Sequence, residues 1–158
     1  MREISFSYET HYLMPHSKAA IHEFLSSINN FHRCSSDVEK FELIDENTAN
    51  WTLKLKEDMG IVFQAHYTLE YNSSENSVSW NTLSGNTKLV GQIEFSALDD
   101  ANTTLTVKES VSFELPVSMI MSKIVKPIAL SETRNDMKNL LGQAERILAS
   151  EINMELST

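Results

Sequence analysis

Along most of this chain apolar residues recur at every second position, and along its last quarter at every third or fourth. The first spacing is that of a strand with one buried face, the second that of an amphipathic helix. Ile4, Phe6, Tyr8 and Tyr12 share one parity, with Ser5, Ser7, Glu9 and His11 on the other, which predicts a half-buried strand from Ile4 to Tyr12. Met14-Pro15-His16-Ser17 ends it, and His16 or Ser17 opens helical material. Ala20, Ile21, Phe24, Leu25 and Ile28 supply a short apolar stripe there, and a second short turn follows from Asn30 to Arg33.

From Val38 to Leu115 the pattern is that of consecutive antiparallel strands. Phe41, Leu43 and Ile44 mark one, and Trp51, Leu53 and Leu55 alternate through the next. Ile61, Phe63, Ala65, Tyr67, Leu69 and Tyr71 form the longest alternation and read as a single strand. Val78, Trp80 and Thr82 follow, then Leu89, Gly91, Ile93, Phe95 and Ala97, then Leu105, Val107, Glu109, Val111, Phe113 and Leu115. Turn-rich segments at Asn72–Asn76, Ser84-Gly85-Asn86 and Asp99–Asn102 separate them, which argues for a meander rather than βαβ units. In the last quarter, Ile124, Ile128, Met137, Leu140, Leu141, Ala144, Ile147 and Leu148 collect on one side of a helix from about Val117 to Ala149. Pro127 interrupts it and predicts a kink, or a break into a movable leading piece over Met119–Val125 and a fixed main helix over Met137–Leu148. The expected architecture is α+β: a curved antiparallel sheet wrapped around a long C-terminal helix, with two short helices after the first strand.

Length and charge change this picture only at the margins. The 158 residues suit one domain, residues 1–152, with 153–158 expected to fray. No apolar run approaches the roughly 20 residues that span a bilayer, and the first residues lack a basic leader followed by an apolar core, so neither a membrane span nor a signal peptide is expected. Cys34 is the lone cysteine, so no intrachain disulfide forms, in keeping with a reducing cytoplasm. A net charge of -9 disfavours nucleic acid and anionic lipid surfaces. Lys54 and Lys56 come nearest to a basic patch and read as a solvated strand face.

Glu109 is the most informative residue for chemistry. It shares the parity of Leu105, Val107, Val111 and Phe113, which points it toward the concave side of the sheet. A carboxyl there is costly unless hydrogen-bonded, and desolvation raises its pKa. It is a polar anchor or a general acid/base on one reading; a register slip, a bulge, or pairing with a core Tyr or Arg on the other. Tyr8 and Tyr67 could offer hydroxyls to a ligand or satisfy them internally. His11, His16, His22, His32 and His66 lack the paired spacings of a metal site, and Gly60, Gly85, Gly91 and Gly142 cannot build a phosphate-cradling loop, so no metal and no cofactor is expected.

Strand, two small helices, meander and long C-terminal helix is the order of the helix-grip fold, and the chain resembles the START-like (SRPBCC) superfamily, especially its polyketide cyclase/dehydrase-like and lipid-transport members. Met14-Pro15 followed by Ala20-Ile21-His22-Glu23-Phe24-Leu25 looks like the superfamily's strand-then-proline segment. Val78-Ser79-Trp80, Gly91-Gln92-Ile93-Glu94-Phe95 and Thr103-Thr104-Leu105-Thr106-Val107 are similar to its central strands, while Pro127 is a departure. The resemblance implies a deep cavity between sheet and helix for an apolar or aromatic molecule. Its floor would comprise Phe63, Tyr67, Leu69, Trp80, Leu89, Ile93, Leu105, Val107, Glu109 and Val111; its lid would comprise Met121, Ile124, Ile128 and Met137. Ligand contacts are expected to concentrate before Met137. Two functions remain open: a noncatalytic carrier or sensor for a hydrophobic small molecule or lipid, favoured because the floor is largely apolar, and a cyclase/dehydratase-like enzyme using Glu109. A third reading makes the sheet edge or the Ile120 side of the helix a contact for a protein partner or a second copy as homodimer.

Overall fold

In the computed structural model, which describes residues 1–157, the N-terminal alternation becomes strand β1 (Arg2–Met14). Ile4, Phe6, Tyr8 and Thr10 are buried and their neighbours exposed, as a period of two requires. Two short helices follow, α1 (Lys18–Leu25) and α2 (Ile28–Arg33). Ser17 and Ser27 cap them, their hydroxyls accepting from the Ala20 and Asn30 N–H groups. The meander then comprises β2 (Val38–Asp45), β3 (Thr48–Leu53), β4 (Lys56–Asp58), β5 (Ile61–Phe63), β6 (His66–Ser73), β7 (Ser77–Gly85), β8 (Thr87–Asp99) and β9 (Asn102–Leu115). Six of these strands join β1 in one seven-stranded antiparallel sheet in the order β1-β9-β8-β7-β6-β3-β2, and β4 and β5 pair separately.

That separate pair corrects two expectations. The alternation from Ile61 to Tyr71 is not one strand: β5 ends at Phe63 and β6 begins at His66. The strand expected through Leu55 likewise ends at Leu53, and the chain turns into β4. Alternating parity persists across both junctions, so it carries no mark of the change of sheet. The β4–β5 hairpin closes through Met59 and Gly60, both at positive φ (54° and 77°), the backbone that tight two-residue hairpins favour.

Helix α3 (Met119–Ser157) closes the concave face. The Met121 N–H donates to the Ser118 hydroxyl at its start. No break occurs at Pro127. Its ring is exposed, and Lys123, whose carbonyl loses a donor, is exposed as well, so water can take the bond the proline cannot make. Met137, Leu140, Leu141, Ala144 and Leu148 are buried along the later turns. In the first turns Val125, Ala129 and Leu130 pack on Ile4, Phe6, Val111 and Leu115. Ile124 and Ile128, expected on the inner stripe, stand 43% and 37% exposed; each sits one residue, about 100° of helical rotation, from Val125 and Ala129. Tyr12 ties helix to sheet by donating to Glu145 Oε1 at 2.9 Å. Thr158, the last residue of the tail expected to fray, lies outside the described residues.

Candidate functional site: a cavity between sheet and helix

The concave face of the sheet is divided. At one end α1 packs on β7 and β8, and Ile93, Leu105 and Val107 are completely buried in the main core there. At the other end a cavity of about 290 Å³ lies between the sheet and α3. Phe63, Tyr67, Leu69, Trp80, Leu89, Glu109 and Val111 line it from the sheet, and Ile128 and Met137 from the helix. Ile93, Leu105 and Val107, expected on its floor, are not in its lining, because parity says which face a residue takes but not how far along the sheet the space runs. Met121 is half-buried outside the lining and Ile124 is largely solvated, so neither forms a lid. Most of the helix lining precedes Met137, at Val125, Ile128, Ala129, Glu132, Thr133 and Asp136, and it ends with Met137 and Leu140.

Glu109 sits at the buried end, 7% exposed. Tyr8, directly opposite it on β1, donates its hydroxyl to Oε1 at 2.7 Å. Trp80 donates its indole N–H to Oε2 at 2.8 Å. Trp80 stands two strands away, with Gly91 of β8 between them in register. The indole reaches the carboxyl only because Gly91 has no side chain: a Cβ there would come within 2.5 Å of the indole ring. Tyr8, Glu109, Gly91, Trp80 and Tyr71 thus form one row across five strands. Burial pushes the Glu109 carboxyl above its ordinary range, and the two donated bonds pull it partly back. Tyr8 is held protonated by burial and by the carboxyl beside it. Tyr67 also lines the cavity; its hydroxyl has no protein partner among the described residues, and burial and Glu109 both raise its pKa.

The opposite end is wet. The exposed members of the lining, among them Lys54, Lys56, Asp58, Met59, Glu132 and Asp136, mark where the cavity opens beside the β4–β5 hairpin. Lys56 Nζ lies 3.6 Å from Asp37, 3.9 Å from Glu132 and 3.8 Å from Asp136. Asp136 is pushed up to about 6, first by partial burial and then by the Asp37 carboxylate, with Lys56 opposing. Lys56, read from the sequence as solvated, is exposed and also bridges hairpin and helix. Its three partners are scattered over about 100 positions, so no local pattern announces the cluster. Gly91 was legible in principle, since a glycine at an inward strand position signals close approach of another group.

The fold is the helix-grip fold of START-like proteins. Solved structures with this architecture include a START superfamily protein from Mycobacterium smegmatis (17% identity, 89% of this chain and 98% of that one, TM-score 0.68). The Zhui aromatase/cyclase from Streptomyces sp. R1128 matches at 10% identity over 94% of this chain and 96% of that one, TM-score 0.68. Norcoclaurine synthase from Thalictrum flavum matches at 11% identity over 96% and 98%, TM-score 0.68. Identities this low establish shared fold alone. No protein-family model matches the chain, and no curated protein sequence does either. No helix among the described residues is long and apolar enough to cross a membrane, and no group of three His, Cys, Asp or Glu side chains among them could hold a metal ion.

Proposed function

We propose that this protein binds a hydrophobic small molecule between its sheet and α3, as a carrier or sensor. The observation that carries the reading is the cavity itself: about 290 Å³ walled mostly by aromatic and aliphatic side chains, with Glu109 and the unengaged Tyr67 hydroxyl as its inner polar groups. Ligand sites are commonly concave, apolar and furnished with few polar anchors. Trp51 and Trp80 both line the cavity and are the chain's two tryptophans, so intrinsic fluorescence reports on occupancy. Nile red, a neutral dye, should gain fluorescence in the native protein, and Ala129→Phe, which adds a ring to the helix wall, should abolish that gain. A signal insensitive to Ala129→Phe, or none in the native protein, overturns the reading. Native mass spectrometry of freshly purified protein would name a co-purifying ligand.

A cyclase-like enzyme is the second reading. Its support is the Tyr67 hydroxyl on the same cavity wall as a carboxyl held above its usual range, a pair able to move a proton on a bound aromatic or polyketide-like substrate. The Zhui aromatase/cyclase, an enzyme by its name, shares this fold. Against it, both Glu109 oxygens already accept from Tyr8 and Trp80. Turnover unchanged in Glu109→Gln would remove Glu109 from any mechanism.

A further inference from the structure

The charges around the cavity narrow what it holds, on the reading that it binds a hydrophobic molecule at all. Six aromatic side chains line it: Phe31, Trp51, Phe63, Tyr67, Trp80 and Phe113. Aromatic faces attract cations, most strongly when both are away from water. The one charged-type group at the buried end is Glu109, and no cationic side chain pairs with it. Arg134 of α3 is not in the lining; its guanidinium lies over the Tyr8 ring, 5.9 Å from the centroid. The lining's two lysines, Lys54 and Lys56, both stand at the open end, with Asp37, Asp58, Glu132 and Asp136. Lys56 is already shared among three of those carboxylates. Four acids against two bases at the mouth, in a chain of net charge -9, set a field that draws cations in and turns anions away.

We propose that the occupant is an organic cation, a compact apolar body carrying an amine, with its nitrogen between the Glu109 carboxyl and the aromatic walls. Glu109 pays for its burial in the empty cavity with a disfavoured charged form; an ammonium beside it supplies the missing counter-charge. The unengaged Tyr67 hydroxyl gives the same nitrogen an oxygen to donate to. A carboxylate of equal shape has the Tyr67 hydroxyl and the unpartnered Trp51 indole N–H to accept from, but it meets the Glu109 carboxyl and an acidic mouth.

Three isosteric probes test this: 1-naphthylmethylamine, which is protonated at neutral pH, 1-naphthalenemethanol and 1-naphthoate. Isothermal titration should rank the amine at least tenfold tighter than the alcohol, with the acid weakest. Glu109→Gln should remove the amine's advantage over the alcohol, bringing their affinities together. An acid that binds as well as the amine overturns the inference, and so does a preference for the amine that survives Glu109→Gln. Alcohol and amine binding equally also overturns it while leaving hydrophobic binding intact; uptake of none of the three removes both. The comparison of probes on the native protein stands alone should the variant fail to fold.

Discussion

One end of the cavity buries a single carboxyl group and the other gathers four, and they solve the problem of charge in opposite ways. At the buried end Glu109 has no cation and relies on two neutral donors, Tyr8 and Trp80, at 2.7 and 2.8 Å. At the mouth Asp37, Glu132 and Asp136 share Lys56 at 3.6 to 3.9 Å, with about half of each side chain in water. Inside, geometry is short and fixed and every lost bond strands a desolvated group. Outside, longer contacts are screened, and exposed ion pairs contribute little. The difference teaches where the molecule is brittle: mutations at the floor should threaten the fold, and mutations at the mouth should alter entry of charged molecules while leaving the fold largely alone.

The hardest blow to this contrast should come from Gly91→Ala. Its Cβ would lie 2.5 Å from the Trp80 indole, which must swing away and abandon Glu109. Overpacking and a stranded buried polar group each cost roughly 1–3 kcal/mol, so a loss of about 3 kcal/mol in urea unfolding is expected. A loss below about 0.5 kcal/mol would show that the indole is not wedged across the glycine.

Tyr8→Phe comes next. It removes one donor and leaves Glu109 Oε1 buried, for an expected loss of about 1–2 kcal/mol. It should also raise the Glu109 pKa further, since one of the bonds holding it down is gone. Combined with Glu109→Gln, the two losses should not add, because both variants act on one bond. Strict additivity in the double-mutant cycle would mean that Tyr8 and Glu109 are energetically separate.

How much of this contrast was legible beforehand follows from what each residue's signal depends on. The inward direction of Glu109 needs only the parity of its own strand, and the order of elements needs only local periodicity; both could be read from the chain. The row Tyr8–Glu109–Gly91–Trp80 depends on the register of four strands, which no single strand records. The false continuity from Ile61 to Tyr71 arose because inward parity persists where the chain leaves one sheet for another. Ile124 was misplaced, and Ile128 reaches the cavity from an edge position 37% exposed, because Val125 and Ala129, one residue further on, take the packing on the cluster around Phe6 and Val111. The Lys56 cluster joins positions 37, 56, 132 and 136, brought together only by tertiary structure.

The smallest effect sharpens the comparison through pH. Both Glu109 and Asp136 are raised above their ordinary values, so between its unfolded and native pKa each binds more protons folded than unfolded. Stability then falls as pH rises through that interval, the opposite of a salt-bridged carboxylate. For Asp136 the interval runs from 3.8 to about 6. With about half its side chain in water, solvent screening reduces the contribution to under about 1 kcal/mol. Asp136→Asn should flatten the profile within that window, and Glu109→Gln should flatten it from 4.5 upward, by more, because no water screens the buried carboxyl. Urea midpoints between pH 4 and 8 for the two variants against the native chain make the measurement. If Asp136→Asn changes the slope more than Glu109→Gln, the mouth rather than the floor is where burial acts on charge, and the contrast between the two ends is reversed.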